Sequence, residues 1–196
     1  MGLWIVIGIT LLLIAFAATW FVLRRRRSND DDDGKVIRSI VLLQAQPRKP
    51  SDDEIAAAVR NAWGAKLARG PQSGDGDFMI HLPSAGPPSC VAVRVSGVMY
   101  VINSMDSPYI NKATQSEDGT RILQQHTACT SISFHGDLPA DWTVARLYAR
   151  LGRIVVALAD DNTLGFCLTE FNRVYPNTGE TRAALLSPDP LATLLQ

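Results

Sequence analysis

Histidine and cysteine are the side chains best suited to hold a metal ion or attack a carbon centre, and this chain has three of each. His126 and Cys129 stand three residues apart, His135 follows, and His81, Cys90 and Cys167 lie elsewhere. Structural zinc needs convergent ligands. A three-residue step along a strand puts His126 and Cys129 on opposite faces, and the six residues from Cys129 to His135 span roughly 20 Å. The spacing therefore predicts no metal site. A cysteine nucleophile needs a base within hydrogen-bond reach and a polar or helix-terminal setting. Cys90, Cys129 and Cys167 all sit in apolar, strand-like runs, so each reads as a small buried hydrophobe, and Cys129 with His81 or His126 is the nearest approach to a pair. There is no G-x-S-x-G, phosphate loop, GxGxxG or HExxH. Asp160-Asp161, between two strand-like runs, reads as a solvated turn rather than a carboxylate pair. No catalytic residue and no cofactor is predicted.

Binding is the other chemistry a side chain can do. Met105, Pro108 and Tyr109 fall in a polar stretch that follows a hairpin, and an aromatic beside a proline can anchor a partner surface. They are the candidate partner-binding residues. The competing, more common arrangement folds the Tyr109 ring back onto its own sheet, because large aromatics bury most of their area.

The elements that must position these residues follow from period and punctuation. KVIRSIVLLQA, residues 35–45, reads as a central strand. Ser51-Asp52-Asp53-Glu54 is a capping box, and Ile55, Val59, Ala62 and Trp63 give the helix behind it one apolar face as far as Gly64 or Leu67. GPQSGDG, residues 70–76, breaks it. Residues 78–82, 91–95 and 98–102 are strands, with Ser96-Gly97 as the turn between the last two. Residues 103–119 read as a long connection. The second half repeats the order: a half-buried strand over 126–135, a helix bearing Trp142, Leu147, Tyr148 and Leu151 that ends at Gly152, and strands over 154–159 and 164–171. From Asn172 onward the reading is loop, with a short helix over 191–195. Both halves thus run strand, helix, strand, strand, with one strand extra in the first. That order predicts an α+β domain, a mostly antiparallel sheet with two helices on one face, and raises the suspicion of a duplicated unit.

SIVLLQAQ, the helix ending AAAVRNAWG, the hairpin leading into GVMYVINSMDSPYI and the strand HTACTSISF together resemble the bacterial domain of unknown function 4261, over most of residues 36–171. The resemblance implies no catalytic residue, and the segment that precedes the domain would be an addition to that family's pattern.

That segment, LWIVIGITLLLIAFAATWFVL, begins at Leu3, ends at Leu23 and holds no charge. At about 1.5 Å per residue it covers a hydrocarbon core of about 30 Å. It is expected to be a single transmembrane helix whose partner is the lipid bilayer. Trp4 and Trp20 lie near its two ends, where indoles anchor at the interface. Arg24, Arg25, Arg26 and Arg27 follow it directly, and by the positive-inside rule they place the remainder in the cytoplasm, with the anchor in the cell or inner membrane. The expected organisation is an anchor with its basic flank over 1–27, an acidic linker containing Asp30–Asp33 over 28–34, and the cytosolic domain over 35–196. Beyond that linker the charges number 15 basic and 15 acidic, which gives no electrostatic reason to expect nucleic acid as a partner. Three widely spaced cysteines in a reducing compartment do not suggest a disulfide framework. The function expected is that of a membrane-anchored protein-interaction or scaffold module with a possible protein partner; the alternative is a small membrane-tethered enzyme, such as a hydrolase using a cysteine or carboxylate.

Overall fold

Six consecutive side chains that solvent hardly reaches make β1 (Ser39–Gln44) a strand covered on both faces. In the computed structural model, which describes residues 38–70, 76–82, 89–110 and 116–196, it lies inside an eight-stranded sheet. The other strands are β2 (Ala68–Arg69), β3 (Phe78–Leu82), β4 (Ser89–Val95), β5 (Val98–Met105), β6 (Ala128–His135), β7 (Thr163–Leu168) and β8 (Arg173–Pro176). Their order is β2-β3-β4-β5-β6-β1-β7-β8, antiparallel throughout except where two-residue β2 runs parallel to β3. The mixed α+β class and the mostly antiparallel sheet are as the sequence predicts. Residues 3–23, with Trp4, Trp20 and Arg24–Arg27, lie outside the described residues. Among the described residues no helix is long and apolar enough to cross a membrane.

The first face of the sheet carries the larger core. Ile40, Leu42, Val91, Val93, Tyr100, Ile102, Ile132, Phe134 and Phe166 point into it from successive strands, as the two-residue period requires. Two helices cover them, α1 (Asp52–Trp63) and α3 (Val144–Leu158), which pack against each other. The capping box at α1 forms as its residues predict: the Ser51 hydroxyl accepts from the Glu54 backbone N–H while the Glu54 carboxylate accepts from the Ser51 N–H at 2.8 Å. Gly64 then ends the helix at φ +71°, a conformation glycine adopts without a side-chain penalty. Arg48 ties that start to the end of α3, donating to the Leu158 carbonyl at 2.9 Å and pairing with Glu54 and with Asp160.

Three expectations are corrected. Residues 154–159 do not form a strand; α3 runs through Gly152 to Leu158. Gly152 is there for packing and not to stop the helix, since a Cβ at that point would run into the backbone carbonyl of Leu185 on α4 (Gly179–Leu186). The β-branched run that follows stays helical because Ile154, Val155 and Leu158 bury the same stripe as Leu147 and Leu151. The 103–119 connection is shorter than expected, because β5 extends to Met105 and α2 (Glu117–Gln125) starts at a Ser116 cap. Residues after Asn172 are not mainly loop: β8 and α4 precede the terminal helix, α5 (Pro190–Leu194).

Candidate functional site

The second face of the sheet is built in two unequal halves, and the segment carrying the predicted binding residues lies against one of them. Over β1, β6, β7 and β8 the side chains Val41, Leu43, Cys129, Cys167 and Val174 form a smaller core under Ile122 and Leu123 of α2. Met105 and Tyr109 close it from the side. Tyr109 is half-buried with its backbone N–H donating to His126 Nε2 at 2.8 Å. The same nitrogen lies 3.2 Å from the Tyr109 carbonyl, and Nδ1 lies 3.2 Å from the Ile122 carbonyl. His126, 4% exposed, is thus a clamp between α2 and the 105–110 segment. The Cys129 thiol donates to the Ser107 carbonyl at 3.7 Å, a second tie of the same segment to the sheet.

The electrostatics of this half are those of an apolar interior. Burial pushes the Cys129 thiol up to about 11. Burial also raises the Tyr109 hydroxyl, up to about 12, with the neighbouring Cys167 and Cys129 adding to the effect. A thiol held protonated is a poor nucleophile and a poor metal ligand.

The sequence candidates therefore separate. Pro108 is exposed, Met105 and Tyr109 half-buried, and Tyr109 takes the arrangement in which the ring folds back onto its own sheet. His126 caps α2 and is not on a strand, while His135 stands exposed at the far end of β6. His81 is bonded to Asp52 at the start of α1, with 2.8 Å between Nε2 and the carboxylate. Among the described residues no group of His, Cys, Asp and Glu is gathered for a metal ion. Asp160 accepts from Asn162 N and from Thr163 Oγ1, both at 3.1 Å, as a turn carboxylate does.

The other half of the second face, over β3, β4 and β5, carries a surface that the spacing argument passed over. The register sets Ile80 opposite Ala92 and Ala92 opposite Val101, with Phe78 opposite Arg94 and Arg94 opposite Met99. Leu82, opposite Cys90, is 40% exposed, and Phe78, Ile80, Met99 and Val101 are only partly shielded. Among the described residues α2 packs against β7 and β8, and no helix covers this half. The signal was present in the strands. β5 is apolar on both parities, with Val98, Tyr100 and Ile102 facing the main core and Met99 and Val101 facing away, a pattern of strands covered on both sides. No family model, curated protein or solved structure matches this chain.

Proposed function

We propose that the chain is a single-pass membrane protein, anchored by residues 3–23 in the cell or inner membrane, whose C-terminal α+β domain lies in the cytoplasm and serves as a protein-interaction or scaffold module. The observation that carries the binding half of this reading is the apolar second face of β3–β5, where Phe78, Ile80, Leu82, Met99 and Val101 line up without a covering helix among the described residues. Apolar side chains clustered on one surface mark an interaction site far more often than scattered ones do. Met105 ends β5 on the same parity as Met99 and Val101, and Pro108 and Ile110, the latter 79% exposed, follow on the segment beyond it. The uncharged segment and the arginines after it carry the membrane half. In the same spirit we read β1-α1 and β6-α3 as counterparts in a duplicated unit, each a buried strand leading into a helix of the main core, and we keep the resemblance to domain 4261 as a reading of residues 36–171. A cysteine hydrolase is the weaker reading, because burial keeps the Cys129 thiol protonated.

The test is recovery of partners from gently solubilised membranes with full-length protein, wild type beside an Ile80→Asp/Val101→Asp variant. A stoichiometric protein that accompanies the wild type and is lost from a folded variant supports the reading. Recovery of the same proteins with both, or of none with either, removes it.

A further inference from the structure

Arg146, Arg150 and Arg153 recur on α3 at i, i+4 and i+7, a spacing that brings side chains to one side of a helix. Together with Thr143, Pro188 and Asp189 they border a groove of about 330 Å³ between α3 and the turn that joins α4 to α5. Like charges at this spacing destabilise a helix, so the cluster is held against its own repulsion. Two of the three guanidiniums lie over aromatic rings. Arg150 lies over the Trp63 ring, 5.3 Å from its centre, and donates to the Ala62 carbonyl. Arg146 lies over the Trp142 ring at 5.0 Å and pairs with Asp141 at 3.1 Å. Arg153 is exposed and enters none of the ion pairs among the described residues. The carboxylate on the groove wall, Asp189, is engaged as the cap of α5, accepting from Ala192 N at 3.0 Å.

A guanidinium held over an aromatic ring still has N–H donors to spare, which suits it to a planar or tetrahedral oxyanion. A carboxylate would satisfy one such fork. A phosphate monoester carries close to two charges and three strong acceptor oxygens, enough to be shared among three arginines. We propose that this groove binds a phosphate monoester group, a chemistry shared by a phosphorylated lipid headgroup and by soluble phosphate. The site is separate from the open sheet face and does not depend on that surface being a docking site.

The experiment is calorimetric titration of the full-length protein in non-ionic detergent with inorganic phosphate and, separately, with micelles containing phosphatidic acid. Micelles containing phosphatidylglycerol, a diester, are the comparison, and an Arg146→Gln/Arg153→Gln variant is run beside the wild type. The component of interest is the one the variant loses, which sets aside binding by Arg24–Arg27. We expect saturable binding that weakens on the order of tenfold for each arginine removed. Equal affinity for phosphate and phosphatidic acid assigns the site to the phosphate group alone, and tighter binding of phosphatidic acid assigns it to a headgroup; both support the proposal. Absence of saturation with either probe, unchanged affinity in the variant, or equal binding of phosphatidylglycerol overturns it.

Discussion

His126 shows how one side chain can hold a segment in place without any chemistry. Its Nε2 accepts from Tyr109 N and its Nδ1 lies 3.2 Å from the Ile122 carbonyl, so the ring joins the 105–110 segment to α2. His126→Ala leaves a backbone N–H without an acceptor and opens space in the smaller core, and is expected to cost about 2 kcal/mol. Urea unfolding should show a lower midpoint at unchanged slope; a loss under about 0.5 kcal/mol would mean the clamp is dispensable, given the usual cost of an orphaned buried donor. The same core sets an alkaline limit. Cys129 and Tyr109 have ordinary values of 9.0 and 10.0, raised to about 11 and about 12 in the fold. Above pH 9 the unfolded chain loses these protons first, so the folded state binds more of them and stability falls as pH rises. The contribution is complete below pH 9 and is lost as pH climbs through about 12. A Cys129→Val/Tyr109→Phe variant should therefore show a flatter fall in unfolding midpoint between pH 9 and pH 11. A slope identical to wild type would show that these two groups do not set the limit. Tyr100, Tyr148, Tyr175 and Cys90, also raised by burial, add to the slope that remains.

At the scale of elements, the close approach of α4 to α3 depends on Gly152. Gly152→Ala must push the Leu185 backbone away, and overpacking of this kind costs about 1–3 kcal/mol. Thermal unfolding should show a clear drop in midpoint, whereas a neutral or stabilising effect would mean that α4 yields freely. This glycine also explains a limit of sequence reading. As a local signal it ends a helix, and only its contact with a segment more than thirty residues away shows otherwise. Ser51 with Glu54 was legible because its partners lie within one turn. α2 was not, because EDGTRILQQ is polar, includes Gly119 and brings only Ile122 and Leu123 to a core. Strands β3, β4 and β5 were legible as strands. The open surface they form was not, although Met99 and Val101 beside Tyr100 and Ile102 carry the hint, since spacing along one strand does not show which face the helices will take. The Tyr109 segment was legible as a place to look, and its ring position only from the non-local contacts with Cys129 and Cys167.

At the scale of the domain, one face of the sheet is covered by α1 and α3, and the other carries α2 over β7 and β8 and, among the described residues, no helix over the apolar half formed by β3, β4 and β5. We propose that this half meets a protein partner while residues 3–23 keep the domain at the membrane. A photoreactive benzoylphenylalanine placed at Val101 of the full-length chain, and irradiated in its native membranes, tests that most directly. Asp161, exposed on the turn between α3 and β7, serves as the control position. The prediction is one discrete protein adduct from position 101 that position 161 does not give. No protein adduct at 101, or the same bands from both positions, would contradict the account.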